Sequence, residues 1–430
     1  MNPDLEHETA RYLAEATRSP DDPRAHNNVG VIYARQGNPR EAIEHFERAL
    51  QLDPNHLRAN MNKGSALVAL GRDREALDVF DRVIRTDPDN YHAHAQRGLI
   101  CANLQRHDEA LSHFAATLRL DRGPAEGSAP NPDQLHTTDA KLRHDAEQFR
   151  HLACVGVRPD LFESLAASYD ELRRSIDWPC DVSEFAALLS PLPAAVAATY
   201  NRPIHIATCP AVAEGPVTAQ LEVGQATAQF LAEDARVAYL DDFLTPLALA
   251  ALTAFVQEST IWFDFRHMSG HVAAYLETGL ASPLLLQIAA EARATFPELL
   301  GPHPLKQIWA FKNVSRGDRI GLHVDDAAVS LNLWLTVDQG RDAAECGGLT
   351  IYRQRLAAGR DLGSYEADGD ALRQALQESG AQALTIAYRQ NRAILFDSSL
   401  YHESTGTNFA HGYENHRVNV TMLFGERARR

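Results

Sequence analysis

Apolar residues in the first third of the chain recur three and four positions apart, the spacing of amphipathic helices, and the pattern then repeats itself. Four columns of identical residues return 34 residues apart, and each column holds one residue type. The columns are Gly30, Gly64 and Gly98; Ala42, Ala76 and Ala110; Phe46, Phe80 and Phe114; and Pro20, Pro54 and Pro88. In a helix–turn–helix unit, small residues suit a close helix crossing, and a proline suits the end of the second helix.

This is the tetratricopeptide pattern, with repeats over 23–56, 57–90 and 91–124 in a domain over 1–125. About three repeats are the minimum for a stable stack, so helices over 6–18 and 138–154 are predicted to cap it. We interpret the concave face as a groove for a peptide or protein segment, with a spacer or dimer contact as the alternative. The side chains expected there are Arg24, Asn27, Arg35, Arg58, Met61 and Asn103.

Short alternating runs replace this pattern after about residue 232. Between the repeats and these runs lies a helical region over 126–231, which we interpret as a brace that packs the repeats against the β-rich domain. Helices are predicted over about 246–258 and 282–295, and the later runs predict a β-sandwich or jelly-roll. The fold class is thus multidomain α + β, with an α-solenoid followed by a β-rich domain over 232–430. The predicted strands are 237–240, 307–313, 321–325, 329–337, 348–352, 384–388, 393–396 and 417–424.

Composition narrows the class of protein. A chain of 430 residues corresponds to about two to three domains, and its formal net charge of −16 disfavours nucleic acid as a partner. Five scattered cysteines without a CxxC pair favour reduced thiols. No secretory signal and no membrane span are visible in the sequence, so we expect a cytoplasmic protein that does not bind membranes.

The candidate chemistry lies in the predicted strands. His323 and Asp325 stand two positions apart, which places both side chains on one face of a strand, and His402 follows the run Asn391–Asp397. Two imidazoles and one carboxylate are the facial triad of non-heme Fe(II) sites. Farther on, Arg417 shares one strand face with Asn419 and Thr421, and an arginine binds a carboxylate by a two-pronged hydrogen bond.

These motifs resemble the Fe(II)/2-oxoglutarate-dependent dioxygenases of the prolyl-hydroxylase-like superfamily, specifically bacterial forms with N-terminal tetratricopeptide repeats. The resemblance rests on the His-Val-Asp motif at 323–325, the segment 391–402, Gly347-Gly348-Leu349 and Arg417-Val-Asn419. It implies a double-stranded β-helix, with His323, Asp325 and His402 as iron ligands. It also implies Arg417 as the partner of 2-oxoglutarate, O₂ as the oxidant and ascorbate as an assay additive. Asn419 departs from the serine that is common in the family.

The carboxylate of Asp325 favours hydroxylation, because halogenating relatives lack it to make room for halide. The leading hypothesis is a hydroxylase acting on a protein or peptide that the repeats recruit. One alternative is a small-molecule hydroxylase, of a metabolite or natural product, whose repeats serve assembly into an oligomer. Another is a non-catalytic repeat scaffold.

Two further features stay open at the level of sequence. Asn332 and Trp334 share one face of the predicted strand 329–337 and would line a pocket if that face looked into the barrel. The insertion 353–388 is interpreted either as a mobile lid or as a surface loop.

Overall fold

A computed structural model describes most of the chain and divides it into two compact units, one up to Asp121 and one from Arg122 onward. For residues 3–6 only the backbone is described. The described residues are 3–123, 135–179, 186–188, 192–232, 236–266, 270–315, 319–337, 347–355, 369–406 and 409–427.

The first unit consists of helices in antiparallel pairs, and it confirms the tetratricopeptide repeats. Each predicted repeat contains two helices, and a further helix precedes them as expected. The helices are α1 (Pro3–Arg18), α2 (Pro23–Arg35), α3 (Pro39–Leu52), α4 (Leu57–Ala69), α5 (Asp73–Thr86), α6 (Tyr91–Asn103) and α7 (His107–Arg122).

The glycine and phenylalanine columns explain how each pair packs. The ring of Phe80 lies so close to α4 that a Cβ atom added to Gly64 would stand 2.5 Å from its Cζ atom. The other two repeats show the same contact between glycine and phenylalanine. Glycine is therefore required because the backbone of the first helix lies directly against an aromatic ring from the second.

The second unit surrounds antiparallel sheets with helices. The helix predicted over 138–154 begins at Asp139, and Thr138 caps it by accepting a hydrogen bond from the Lys141 amide. Thr245 caps a helix that begins at Pro246, as its sequence indicates. The helices are α8 (Asp139–Cys154), α9 (Pro159–Ser175), α10 (Ala194–Thr199), α11 (Val223–Leu231), α12 (Pro246–Glu258), α13 (Pro283–Thr295) and α14 (Gly369–Glu378).

The strands form a six-stranded sheet in the order β3-β9-β6-β11-β5-β4, a three-stranded sheet in the order β10-β7-β8, and a short β1-β2 ladder. Trp334, Ile394 and Phe396 from the large sheet pack against Leu349 and Ile351 from the three-stranded sheet in one buried cluster. The strands are β1 (His136–Thr137), β2 (Ala186–Ala187), β3 (Val237–Leu240), β4 (His271–Tyr275), β5 (Leu305–Asn313), β6 (Val329–Trp334), β7 (Leu349–Arg355), β8 (Ala383–Ile386), β9 (Ala393–Asp397), β10 (Leu400–Ser404) and β11 (Val418–Phe424).

One predicted strand is wrong. Segment 321–325 is irregular, and only His323 pairs in the manner of a strand, through an isolated antiparallel bridge to His402. The amide of Asp325 donates instead to the carbonyl of Ser398, so no continuous ladder forms. Four observed strands, β1, β2, β4 and β10, are missing from the prediction.

No helix among the described residues is both long and apolar enough to cross a membrane. Cys101, Cys154 and Cys209 are free thiols, whereas Cys180 and Cys346 lie outside the described residues.

Candidate metal centre

Three predicted ligands meet at one point of the second unit. One donor atom each from His323, Asp325 and His402 lie within 4.8 Å of one another. The Nε2 atom of His323 is 3.7 Å from one carboxylate oxygen of Asp325, and the Nε2 atom of His402 is 3.6 Å from the other. Asp325 and His402 are buried, while His323 is partly open to solvent. Such a cluster presents two imidazole nitrogens and a carboxylate to a single ion.

Backbone contacts fix this arrangement. The amide of His323 donates to the carbonyl of His402 at 3.0 Å, and the amide of His402 donates in return at 2.8 Å. The Nδ1 atom of His323 lies 2.8 Å from the Gly321 carbonyl, and that of His402 lies 3.0 Å from the Leu400 carbonyl. A proton held on Nδ1 leaves Nε2 unprotonated, so both rings turn a lone pair toward Asp325.

Burial keeps His402 neutral. Burial, together with the nearby His323, lowers the pKa of His402 to about 4 against the opposing effect of the Asp325 carboxylate. The imidazole is therefore unprotonated at neutral pH, the form that a metal ion requires.

One serine holds the carboxylate ligand and a second serine contacts the first. The hydroxyl of Ser330, on β6, donates to Asp325 at 2.6 Å, and it lies 2.8 Å from the hydroxyl of Ser398. All three side chains are buried. Sequence reasoning missed both serines, because nothing in their spacing indicates that they contact a residue on another segment.

Arg417 lies immediately before β11 and is 3% exposed. Its guanidinium donates to the Gly347 carbonyl at 3.0 Å and to the side-chain oxygen of Asn419 at 3.1 Å. Among the described residues, no carboxylate lies within 4.0 Å of it. Burial accordingly lowers the pKa of Arg417 to about 10. The side chain remains a cation and is held in the interior without an acidic partner from the described chain.

Asn419 and Thr421 follow Arg417 on the same strand face, and all three line one cleft with the three ligands. The cleft encloses about 390 Å³, including its open mouth. Its apolar lining consists of Trp309, Phe311, Ile320 and Leu349.

The two predicted pocket residues contribute unpaired polar atoms. Asn332 lines the cleft and is 7% exposed, yet its side-chain oxygen has no hydrogen-bond partner among the described residues. Trp334 is fully buried, stacks on Tyr388 and lies outside the cleft lining, and its indole N–H has no acceptor in the described part of the chain. The guanidinium carbon of Arg417 lies 5.8 Å from the Trp334 ring. Orphaned buried donors and acceptors are uncommon, and here they lie beside an uncompensated cation.

These residues fit a divalent transition metal with an anionic co-ligand. The two imidazoles and one carboxylate match the chemistry of an Fe(II) site that keeps open positions. Arg417 supplies donors suited to a carboxylate, and the oxygen of Asn332 would accept from a ligand or water.

The predicted repeat groove is only partly exposed. Arg24, Arg35 and Arg58 are exposed, with Arg24 bonded to Asp22 at the start of α2 and Arg35 lying 3.9 Å from Glu8. The prediction is wrong for Asn27, which is 5% exposed and accepts a hydrogen bond from Asn62 at 2.9 Å. Asn103 is half-buried and bonds the Leu99 carbonyl of its own helix. Asn27 therefore links two repeats and does not face a ligand.

Comparisons with known proteins match the repeats. Two family profiles described as tetratricopeptide repeat match residues 33–100 and residues 8–56. The N-terminal region thus contains tetratricopeptide repeats. No curated protein matches the chain.

Solved structures resemble part of the chain. MamA from Desulfovibrio magneticus RS-1 is 22% identical over 41% of this chain and 89% of its own, with a TM-score of 0.27. YrrB, described as a repeat protein with an unusual peptide-binding site, is 29% identical over 27% of this chain and 61% of its own, with a TM-score of 0.26. A repeat protein from Parabacteroides merdae is 25% identical over 27% of this chain and 47% of its own, with a TM-score of 0.26.

Proposed function

We propose that the protein is an Fe(II)- and 2-oxoglutarate-dependent dioxygenase of the hydroxylase type, with the β-rich unit folded as a double-stranded β-helix. One observation carries this proposal. Two histidines and an aspartate converge in a cleft that also contains a buried arginine with no carboxylate partner among the described residues.

In this proposal His323, Asp325 and His402 hold Fe(II), which supplies O₂ activation for C–H hydroxylation coupled to the oxidative decarboxylation of 2-oxoglutarate. Arg417 binds the distal carboxylate of the cosubstrate and fixes its orientation, and Asn419 fixes Arg417 by accepting its hydrogen bond. Ser330 holds Asp325 in place. The apolar side chains of the cleft exclude water from the reacting atoms.

The repeats are proposed to bind a protein or peptide. Stacked helical repeats form an extended concave surface, and such surfaces serve recognition of partners. Arg24, Arg35 and Arg58 are exposed on this unit and could contact acidic side chains of a bound segment, although Arg24 and Arg35 also lie near Asp22 and Glu8. The substrate of the proposed hydroxylase would reach the cleft through this binding.

A non-catalytic repeat scaffold is the second candidate. The family matches, which support this candidate, lie within residues 8–100. Two of the solved structures named above are themselves described as repeat proteins. The known proteins therefore favour a binding role at least as much as catalysis. A small-molecule hydroxylase that uses its repeats for assembly differs from the leading proposal in its substrate and in the role of the repeats.

The test is to add Fe(II) and 2-oxoglutarate to the full chain without oxygen and to record the visible spectrum. A metal-to-ligand charge-transfer band is expected for the wild type and is expected to be lost in His402→Ala. A wild type that binds neither Fe(II) nor 2-oxoglutarate would eliminate the dioxygenase and leave the scaffold. If the band forms, succinate release in the presence of candidate peptides or small molecules separates the two hydroxylase hypotheses.

A further inference from the structure

Helix α14 covers the outer face of the three-stranded sheet. Leu376 on this helix is 2% exposed and belongs to a buried cluster with Leu322, Tyr352 and Tyr401. Leu372 on the same helix, and Val324, pack against that cluster. The apolar face of α14 thus contacts residues from both segments that carry metal ligands.

The contacts alternate with the ligands along the chain. Leu322 belongs to the cluster under α14 and Val324 packs against it, whereas the next residue after each of them, His323 and Asp325, lines the cleft. On β10, Tyr401 belongs to the cluster under α14, whereas His402 lines the cleft. Because neighbouring side chains of an extended chain point to opposite faces, α14 presses on the back of the residues that present the ligands.

An ion pair fixes the same helix to β10. Arg373 donates to both carboxylate oxygens of Glu403, at 3.1 Å and 2.7 Å. The hydroxyl of Tyr352, on β7, donates to Glu403 at 2.9 Å. Glu403 follows His402 directly, so this pair holds the backbone next to a ligand.

We propose that α14 positions the metal ligands from behind, with Arg373 and Leu376 as its positioning residues. The described part of the insertion then acts as a rear support of the metal centre, on the face of the small sheet that lies away from the cleft, and not as a lid. This inference rests on the metal site proposed above, because it assigns a role to residues that contact the ligand-bearing segments.

The argument is one of geometry. A metal ion demands that its three ligands keep their separations within a fraction of an ångström, and residues outside the ligand set supply that rigidity. His323 and Asp325 lie on an irregular segment whose sheet pairing is a single bridge. This segment therefore depends on packing from α14 more than a ligand in a continuous ladder would.

The experiment measures Co(II) binding to the full chain, without 2-oxoglutarate, by titration and by the visible ligand-field spectrum of the bound ion. Arg373→Ala and Leu376→Ala are each expected to weaken Co(II) affinity roughly tenfold and to alter the spectrum. Arg373→Lys keeps the charge but loses the two-pronged contact, and is expected to show a smaller loss of affinity. Gln374→Ala is the matched control, since Gln374 is exposed on the same helix and, among the described residues, its side chain bonds only Glu378.

The outcomes separate this inference from the proposed function. If the wild type and Gln374→Ala bind Co(II) and both Arg373→Lys and Leu376→Ala bind it with wild-type affinity and spectrum, the role of α14 is refuted while the metal site stands. If the wild type binds no Co(II), the metal site and the inference fall together. Should Arg373→Ala fail to fold, Arg373→Lys and Leu376→Ala decide the question.

Discussion

Replacing Arg417 by methionine should stabilise the ligand-free protein. A pKa displaced from 12.5 to about 10 corresponds to roughly 3 kcal/mol of unfavourable burial of the charge. The substitution also leaves the Gly347 carbonyl and the Asn419 oxygen without a donor, which costs about 1–2 kcal/mol. The net expectation is an increase of about 1–2 kcal/mol in the free energy of unfolding, because methionine fills similar space without a charge.

The same substitution should abolish stabilisation by the cosubstrate. A ligand at 100 times its dissociation constant adds about 2.7 kcal/mol to the stability of the protein that binds it. With a divalent metal present, 2-oxoglutarate should therefore stabilise the wild type by about this amount at that concentration, and Arg417→Met much less. Urea unfolding followed by tryptophan fluorescence measures both quantities, since all four tryptophans lie beyond residue 121.

Arg392 provides the matched control. It is also largely buried, but it donates to both carboxylate oxygens of Asp241, at 2.6 Å and 2.9 Å. Arg392→Met leaves that carboxylate short of donors and should destabilise the protein by about 1–3 kcal/mol. If Arg417→Met destabilises as much as Arg392→Met, or if 2-oxoglutarate stabilises Arg417→Met as strongly as the wild type, the reasoning about an uncompensated cation is refuted.

Two further predictions concern the framework. Gly64→Ala should destabilise the first unit by about 1–3 kcal/mol, because the new Cβ atom would stand 2.5 Å from the Phe80 ring; thermal melting followed by circular dichroism should show no such loss for the exposed control Ser65→Ala. Burial lowers the pKa of His416 to about 2, so this histidine is neutral in the folded protein. Below about pH 6.5 the same histidine is protonated in the unfolded state but not in the folded state. Stability should thus fall as the pH decreases, and His416→Gln should reduce the loss between pH 6 and pH 5 by about 1 kcal/mol; an unchanged pH dependence in urea unfolding would contradict the assignment.

The repeats were predictable because their signal is redundant. Gly64 packs directly against Phe80, and the same pair of residue types is in contact in each repeat. A single 34-residue period therefore accounts for both the glycine and the phenylalanine column. Asn27 was misplaced because an exposed asparagine and one that links two repeats look alike in the sequence. Its partner Asn62 stands in the next repeat, and only the stacking of the helices brings the two together.

The candidate ligands were predictable because their residue types and order are distinctive, whereas their supports were not. Instead of the strand predicted over 321–325, the structure has a single β-bridge between His323 and His402. No further strand pair follows, because the amide of Asp325 donates to the carbonyl of Ser398. Strand β10 is missing from the prediction because it begins directly after the turn at Ser398 and Ser399, residues that give no strand signal of their own. Pairing with β7 overrides that local preference.

The second unit contains a polar interior that hydrophobic patterning does not reveal, part of it in the region 126–231 and part of it on β5. Lys141 on α8 is 2% exposed and pairs with Asp145 one turn later. Lys312 on β5 is 1% exposed, and its ammonium nitrogen lies 4.3 Å from the ring centres of both Trp262 and Tyr413. A lysine in a sequence is normally assigned to the surface, so no sequence pattern would have placed these two side chains in the interior.

Strand β11 lies in the middle of the six-stranded sheet, between β6 and β5, although it follows every other strand along the chain. A ribosome delivers the repeats first, and their contacts are local, so they are able to fold while synthesis continues. The sheet cannot close, and Arg417 cannot take its place, before β11 has emerged. If the protein binds the proposed metal and co-ligand, their loading is therefore expected late in the maturation of this chain, after β11 has joined the sheet.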